Sequence, residues 1–321
     1  MDEEGRISRA MSRAGAGDRL AEGGGESPVR PDLRQEEVEP RPAGAACSEL
    51  HATAVMFHER ASEAANQVRV LRARLLAIDN GKPPRVLTIS SANSQEGKST
   101  LALNLAIALA QVESRRVALV DGDACGGGLS ELAGVEATTG LADVLAGDLR
   151  LNGSVYQTSV EGLDIIPMTL PPDDGHSDAA LKSEFERHVS RFDRLLSQQC
   201  EGLVAKLREL YAFVIIDTPA ALASNHATVF GKHSDGVILV ARLEHTRRQV
   251  VRRTCQELRD AGAKILGCVL TDRKDHVPEF VYRLFSPPRY SGYGRYSSYG
   301  SYVRGTSKRG RKKDQEGNSK T

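Results

Sequence analysis

Residues 85–100 decide the fold, and they read RVLTISSANSQEGKST. The apolar, β-rich run RVLTISS predicts a buried strand over Arg85–Ser91. The next eight residues, ANSQEGKS, have the spacing of a phosphate-binding loop, with Ala92 in the place of the first glycine. A helical pattern then runs from Ser99 to about Gln111. The segment therefore predicts a strand, a tight turn and a helix in succession.

This turn has the groups that a bound polyphosphate needs. Successive backbone N–H groups point at phosphate oxygens, and the helix N-terminus adds its positive dipole. Lys98 supplies charge at the β- and γ-phosphates, and Ser99 offers a hydroxyl to Mg²⁺. The same pattern occurs by chance elsewhere, but its strand–turn–helix setting favours phosphate binding over an ordinary turn. The expected nucleotide-contacting residues are Asn93, Ser94, Gln95, Glu96, Gly97, Lys98, Ser99 and Thr100.

Short apolar runs alternate with helical stretches in the rest of the core. Further strands are predicted at Val117–Asp121, Leu163–Met168, Ala212–Asp217, Gly236–Ala241 and Lys264–Leu270. Several of these runs are continuously apolar, as in strands covered on both faces. Helices are predicted at about 60–78 and 181–210. This order indicates an α/β fold, with a mostly parallel central sheet flanked by helices, although the order of the strands is not readable.

The two ends of the 321-residue chain differ from this core. Residues 1–48 are rich in Gly, Glu, Arg and Pro without apolar periodicity, which predicts a disordered segment. Residues 286–321 are also polar and predict a flexible tail, leaving one domain at 49–285. The net charge of +1 gives no general attraction to nucleic acid or membrane. The basic run at 304–320 is either a solvated tail or a contact for phosphates or anionic lipid.

Cysteine usage and hydropathy indicate the compartment. The five cysteines are scattered and include no CxxC pair, which favours reduced thiols and argues against a zinc site. No apolar run reaches the ~18 residues of a membrane-spanning helix, and the N-terminus lacks the apolar segment of a signal peptide. We therefore expect a soluble cytoplasmic protein.

Aspartates end two other predicted strands. One strand runs into Asp121-Gly122-Asp123, and another ends at Asp217. Each aspartate alone is as readily a helix cap or turn residue. Ligands of parallel sheets, however, bind at the carboxyl edge, where these strand ends and Lys98 meet. The pattern favours one site formed by Lys98, Asp121, Asp123 and Asp217.

The chain resembles the bacterial tyrosine kinases, which are cytoplasmic P-loop autokinases of capsule and exopolysaccharide synthesis. The resemblance covers about residues 65–285 and rests on VLTISSANSQEGKSTLALNLAIALA, RRVALVDGD, GLADVLAGD, GLDIIP, YAFVIIDTPA and DGVILVARLEHT. This order of Walker A, A-prime and B segments also fits the wider deviant Walker class of P-loop NTPases, including partition and septum-positioning ATPases. Those ATPases usually carry a second lysine where Asn93 stands, so the loop favours the kinases.

The resemblance implies ATP and Mg²⁺ as cofactors and a role for each site residue. Lys98 would stabilise charge on the transferring phosphoryl group. Ser99 and Asp217 would hold Mg²⁺. One of Asp121 and Asp123 would orient or deprotonate the incoming tyrosine, and the other would lie near the metal. Asp123 is therefore also a candidate metal ligand.

A tyrosine repeat near the C-terminus is the second feature that favours a kinase. It lies among Gly, Ser and Arg, so packing does not explain it. Kinases of the resembled family carry a C-terminal tyrosine cluster that neighbouring subunits phosphorylate. The alternatives are a segment that stacks on RNA or self-associates, or an inert linker. The expected phosphoacceptors are Tyr290, Tyr293, Tyr296, Tyr299 and Tyr302.

The resemblance also implies partners. Arg69 and Arg72 match two arginines of the family's oligomerisation helix, although Asn66 stands where a glutamate is expected. A solvated helix face is the alternative for these arginines. We expect a homo-oligomer that works with a membrane activator, a chain-length-determinant protein of polysaccharide export. That partner would hold it at the inner face of the plasma membrane, and nucleic acid is not an expected partner.

Three departures from the family pattern leave other functions open. Ser94 and Gln95 replace the usual Pro-Gly of the loop, which predicts a stiffer or differently shaped turn. Cys125 stands where an arginine is frequent, and Thr271-Asp272 occupies the place of an adenine-reading asparagine. ATP over GTP is therefore expected from the resemblance alone. A partition-type ATPase switch and a nucleotide-binding regulator with little kinase activity remain alternatives.

Overall fold

The computed structural model describes residues 49–272, apart from 79–81, 113–115, 125–127, 148–149 and 170–178. For residues 179–184 only the backbone is described. The predictions for residues 1–48, Cys125 and the tail at 286–321, with its tyrosines, lie outside the described residues. They stay predictions, as does the domain boundary near 285.

A seven-stranded sheet forms the centre of the described part of the chain. Its strands are β1 (Val86–Ser91), β2 (Val117–Asp121), β3 (Tyr156–Gln157), β4 (Leu163–Ile166), β5 (Phe213–Asp217), β6 (Gly236–Arg242) and β7 (Ile265–Thr271). Their order is β3-β4-β2-β5-β1-β6-β7. All neighbours are parallel except β3, which pairs antiparallel with β4. The predicted α/β fold with a mostly parallel sheet is confirmed; β3 was missed because two residues show no periodicity.

Eight α-helices flank this sheet within the described ranges: α1 (Val55–His58), α2 (Glu63–Leu76), α3 (Lys98–Ala110), α4 (Leu129–Leu132), α5 (Leu141–Ala146), α6 (Ala179–Leu210), α7 (His226–His233) and α8 (Arg248–Asp260). The predicted helices at 60–78, 99–111 and 181–210 correspond to α2, α3 and α6. Helix α2 begins later than predicted because the Ser62 hydroxyl accepts a hydrogen bond from the Ala65 amide and caps it. None of the helices described here is long and apolar enough to cross a bilayer.

The central strands are buried along their whole length because helices cover both faces of the sheet. In β2, Val117 and Leu119 pack into the core under α2 and α3. The alternate residues, Ala118 and Val120, pack into the core under α5, α6 and α7. Helix α3 is buried from Leu101 to Ala110, so this part of the helix has no solvent-exposed polar face.

The strand order determines what lies at the carboxyl edge of the sheet. Strand β5 pairs with both β1 and β2, so the ends of these three strands are adjacent. In this register Asp121 of β2 lies opposite Asp217 of β5. The turn that follows β1 therefore lies beside both aspartates.

Candidate functional site

The turn between β1 and α3 has an unusual backbone. Two of its residues have left-handed conformations: Gln95, with φ of 60°, and Gly97, with φ of 89°. Glycine adopts such a conformation without strain, whereas for other residues the left-handed conformation costs about 1–2 kcal/mol of conformational energy. The replacement of Pro-Gly by Ser94-Gln95 therefore places a non-glycine residue at a strained position. The sequence predicted a stiffer or differently shaped turn, and that comparison with the family's loop stays a prediction.

Glu96 braces the turn from inside. Its side chain is buried, and its carboxylate accepts hydrogen bonds from the Ala92 amide at 3.1 Å and the Asn93 side chain at 2.9 Å. The Thr246 hydroxyl, between β6 and α8, donates a third at 2.5 Å. The Thr271 hydroxyl, at the end of β7, donates to the Glu96 carbonyl at 2.8 Å. The turn is thus tied to two distant connections.

Thr246 and Thr271 were not predicted from the sequence as supports of the loop. Glu96 was expected among the nucleotide-contacting residues, but its carboxylate points into the protein. The presence of an acidic residue inside a phosphate-binding turn could have indicated such supports. Its carboxylate has to point away from the phosphates, and once buried it needs hydrogen-bond donors from elsewhere in the protein.

The structure brings Lys98 and the three predicted aspartates together. The Lys98 ammonium lies 3.3 Å from Asp123 Oδ2, and the Asp123 amide donates to Asp121 Oδ1 at 3.0 Å. Asp121 and Asp217 are 1% exposed and Asp123 is 8% exposed. This placement matches the expectation from the strand ends, and the chemical roles of these residues stay predictions.

Burial dominates the electrostatics of the carboxylates. It raises the pKa of Asp217 to about 7; Asp123 adds to the rise, whereas Lys98 and the Ser99 hydroxyl oppose it. Burial, reinforced by the charge of Asp217, also raises the pKa of Asp121 well above its usual value. Three acidic groups around Lys98 leave an excess of negative charge, which a cation would relieve.

Unpartnered oxygen atoms at this edge point to a ligand. Both carboxylate oxygens of Asp217 and Oδ2 of Asp121 are buried and accept no hydrogen bond of ordinary geometry from the described residues. Buried carboxylates are normally paired, hydrogen-bonded or bound to a metal. The Asp217 carboxylate and the Ser99 hydroxyl are hard oxygen donors of the kind that Mg²⁺ prefers.

The donor set fits a metal shared with a nucleotide. Within the described residues, no three His, Cys, Asp or Glu side chains converge to form a complete metal cage. Mg²⁺ usually takes one or two carboxylates and completes its octahedron with water and substrate phosphates. The phosphate-binding turn beside Asp217 is where such phosphates would lie.

The end of the sheet near β7 is occupied by protein contacts. Arg242 donates from Nε and Nη2 to Oδ2 of Asp272, at 2.9 and 2.8 Å, while Thr271 holds Glu96. Both side chains at the expected adenine-reading position are therefore engaged within the protein, which leaves the choice of base unassigned.

Other predicted residues lie away from this site. Arg72 on α2 donates to the Ala108 carbonyl near the end of α3 at 2.9 Å, and Arg69 donates to the Arg60 carbonyl. Because both arginines bond to carbonyl groups of the protein, these contacts do not support the alternative of a simple solvated helix face. They also give Arg69 and Arg72 no part in the nucleotide site. Their place in an oligomer interface stays a prediction.

Comparison with known proteins agrees with this geometry. Residues 85–264, more than half of the chain, match the AAA domain family. The putative tyrosine-protein kinase EpsB of Ralstonia nicotianae is 29% identical over 233 residues, which cover 73% of this chain and 28% of that protein. Tyrosine-protein kinase CpsD of Streptococcus agalactiae is 26% identical over 223 residues, with 69% and 84% covered. The chain thus spans less than a third of the first relative and most of the second.

The fold gives the same result. The kinase domain of the Escherichia coli tyrosine kinase ETK has a TM-score of 0.61 and 26% sequence identity to this chain, with 70% of this chain and 82% of that domain covered. The chain therefore belongs to the AAA domain family and is a relative of the bacterial tyrosine kinases, as the sequence resemblance predicted.

Proposed function

We propose that this chain is an ATP-dependent protein-tyrosine autokinase that uses Mg²⁺ and phosphorylates its own C-terminal tyrosine cluster in trans. One observation carries the proposal: Lys98 and three buried carboxylates meet beside a phosphate-binding turn, with carboxylate oxygens left unpartnered. Similarity to proteins named tyrosine kinases supports phosphoryl transfer to tyrosine as the reaction.

Each residue has a task that its surroundings suit. The turn's backbone N–H groups and Lys98 would bind the nucleotide phosphates, and Ser99 with Asp217 would hold Mg²⁺. Bound Mg²⁺ supplies the positive charge that offsets charge on the phosphates. Asp121 or Asp123 would orient the tyrosine hydroxyl and accept its proton. A raised pKa makes ionised Asp121 a stronger base, while Asp123 already contacts Lys98.

The acceptor cluster and the partners are part of the same proposal. Tyrosines 290, 293, 296, 299 and 302 would reach the site of a neighbouring copy, and their phosphates would weaken contacts between copies by repulsion. We infer a homo-oligomer that regulates exopolysaccharide or capsule export, driven by a membrane activator at the inner face of the plasma membrane.

Mass spectrometry of the intact protein and its peptides tests the activity directly. The full chain is incubated with ATP and Mg²⁺, beside Lys98→Met and a variant with the five tail tyrosines changed to Phe. We expect phosphate on residues 290–302 of the unmodified chain and none on either variant. ATP hydrolysis, as a side activity, would be measured in the same samples.

A negative result counts against the kinase only if a membrane activator was also tested. If the chain binds ATP but acquires no phosphate, the incubation is repeated with the cytoplasmic segment of a chain-length-determinant protein. A second blank, with ATP binding intact, overturns the kinase proposal. Nucleotide-dependent binding to DNA or liposomes, unchanged in the Tyr-to-Phe variant, would then identify a partition-type switch.

A nucleotide-binding regulator with little turnover is the second candidate. It is favoured by the strained Gln95 in the turn and by the engagement of Thr271 and Asp272 in protein contacts. Calorimetric titration with ATP and GTP, paired with a turnover assay, separates the two functions. Tight binding of either nucleotide with no measurable phosphate release would favour the regulator.

A further inference from the structure

Gly122, which lies between Asp121 and Asp123, is hydrogen-bonded through both its amide and its carbonyl. The Gly122 amide donates to the Asp217 carbonyl at 2.8 Å, and the Gly122 carbonyl lies 3.1 Å from Nδ1 of His226. A Cβ on residue 122 would lie 2.7 Å from the Asp217 carbonyl oxygen and 2.8 Å from the Phe230 ring. Only glycine fits in this position, so the Asp121–Asp123 segment has one well-defined path.

His226 connects this segment to helix α6. The ring is fully buried at the first position of α7. Its Nε2 lies 2.6 Å from Oδ1 of Asp193, and the Phe192 ring packs edge-on at 5.2 Å. A carbonyl oxygen can only accept, so the ring donates from Nδ1 to Gly122, and its Nε2 lies against the Asp193 carboxylate.

A buried histidine is often only a satisfied core residue. Here, however, its partner is the carbonyl between Asp121 and Asp123, one of which is proposed to orient and deprotonate the tyrosine. A displacement of that carbonyl rotates the peptide planes on both sides and moves both aspartates. Catalytic groups displaced by about 1 Å can lose on the order of 100-fold in rate.

We propose that His226, oriented by Asp193, is a positioning residue that fixes the Gly122 carbonyl and thereby the aim of Asp121 and Asp123. The proposal rests on the function proposed above for these aspartates. His226 contacts neither the phosphate-binding turn nor Lys98 through any described hydrogen bond, so its effect would reach the site through Asp121 and through Asp123, which is also a candidate Mg²⁺ ligand.

Two conservative variants separate the two bonds of the ring. In His226→Asn the amide nitrogen takes roughly the place of Nδ1 and keeps the donor to Gly122. In His226→Gln the amide nitrogen takes roughly the place of Nε2, keeps the bond to Asp193 and leaves the Gly122 carbonyl without its donor. Both variants remove the ring from the contact with Phe192, so each is the packing control for the other.

The readout is a comparison of kcat with the KM for ATP in the autophosphorylation assay. At saturating Mg²⁺, we expect His226→Gln to lower kcat by about 10- to 100-fold with an almost unchanged KM for ATP. His226→Asn should recover most of the rate. Asp193→Asn, which keeps an acceptor but removes the charge, should fall between them. The proposal is overturned if the Asn and Gln variants have equal kcat. It is also overturned if the decrease in kcat of each variant is proportional to the decrease in its melting temperature, because a general loss of stability would then explain both.

A binding assay keeps the proposal testable if the chain proves not to be a kinase. The Mg²⁺ concentration needed for half-maximal binding of a fluorescent ATP analogue reports on the carboxylates without turnover. We expect His226→Gln to need several times more Mg²⁺ than His226→Asn. An inactive unmodified chain that shows this difference would refute the kinase function alone, while identical Mg²⁺ curves would refute the role of His226.

Discussion

At the scale of single residues, the site concentrates negative charge where the protein excludes water. Asp121 and Asp217 face each other across neighbouring strands, and burial raises the pKa of both. Lys98 contacts Asp123 rather than either of them. Such an arrangement lowers the stability of the folded chain at neutral pH, and a bound Mg²⁺–nucleotide complex would restore it.

The pKa of Asp217 gives a pH dependence with a definite sign. In the folded state it is about 7, against about 3.9 for an exposed aspartate. The folded chain therefore keeps a proton that the unfolded chain releases between these values. This contribution to stability is complete below about pH 4 and is lost as the pH rises through 7.

Asp217→Asn removes that titration. Without Mg²⁺, the variant should be more stable than the unmodified chain by roughly 4 kcal/mol at pH 7.5, and this difference should shrink toward pH 4. Urea unfolding at several pH values measures both quantities. A difference that stays constant from pH 4 to 7.5 would show that ionisation of Asp217 is not its cause.

At the scale of elements, the phosphate-binding turn depends on residues far away in the chain. Glu96 accepts hydrogen bonds within its own turn and from Thr246, and its carbonyl accepts one from Thr271. The connection after β6 and the end of β7 therefore help to shape the turn. Changes in either of them should be felt as changes in nucleotide affinity.

Thr246→Val tests this brace with an isosteric side chain. It removes the donor to the Glu96 carboxylate and the acceptor of the Arg242 amide. A buried group left without its partner costs about 1–3 kcal/mol, so we expect ATP affinity to fall by roughly 5- to 100-fold. Calorimetric titration with ATP and Mg²⁺ measures the change.

Thr254→Val is the matched control. Thr254 is buried more deeply than the half-buried Thr246, but its hydroxyl donates to the Val250 carbonyl within α8 and not to the turn. The control should lose some stability and keep its ATP affinity. Equal affinity losses in both variants would mean that general loosening, not the brace, explains the effect.

The strained position in the turn gives a second prediction at this scale. Gln95→Gly should change the free energy of unfolding by less than about 1 kcal/mol, because relief of left-handed strain offsets the greater freedom of glycine in the unfolded chain. Gln95→Val should lower it by roughly 1–2 kcal/mol, because a β-branched residue is poorly tolerated at positive φ. Urea unfolding of both variants checks this order, and the reverse order would contradict the backbone assignment.

At the scale of the whole molecule, phosphorylation in trans requires one copy to present its tail to another. Lys98→Met keeps the tail tyrosines but lacks the lysine, and the five-fold Tyr-to-Phe variant keeps the site but lacks the acceptors. A mixture of the two should phosphorylate the Lys98→Met chain, at a rate that rises with total concentration. Peptide mass spectrometry identifies which chain carries phosphate.

Measuring the phosphorylation rate at several protein concentrations shows whether the prediction of transfer in trans is wrong. If the unmodified chain acquires phosphate at a rate independent of concentration while the mixture stays unmodified, transfer occurs within one chain. An Arg69→Ala/Arg72→Ala variant extends the test. If these residues form the oligomer interface, it should slow transfer in the mixture without weakening ATP binding. A loss of thermal stability alone would instead point to their internal contacts with Arg60 and Ala108.

The sequence by itself determined the parts of this protein that depend on neighbouring residues. The loop around Lys98, the strand ends at Asp121 and Asp217 and the helices α2, α3 and α6 were predictable, because periodicity and turn chemistry act over a few residues. The boundaries of α2 moved by a few residues because of its Ser62 cap. The two-residue β3 carried too short a pattern to be seen.

Only the tertiary structure decided how these parts meet. Strand β5 lies between β1 and β2, which sets Asp217 opposite Asp121. Glu96 meets Thr246 and Thr271 across 150 and 175 residues of chain, and His226 meets Gly122 across 104. The physical reason is that strand pairing and burial select these contacts through the packing of the whole core, and no local pattern of residues encodes which distant partner will satisfy a buried polar group.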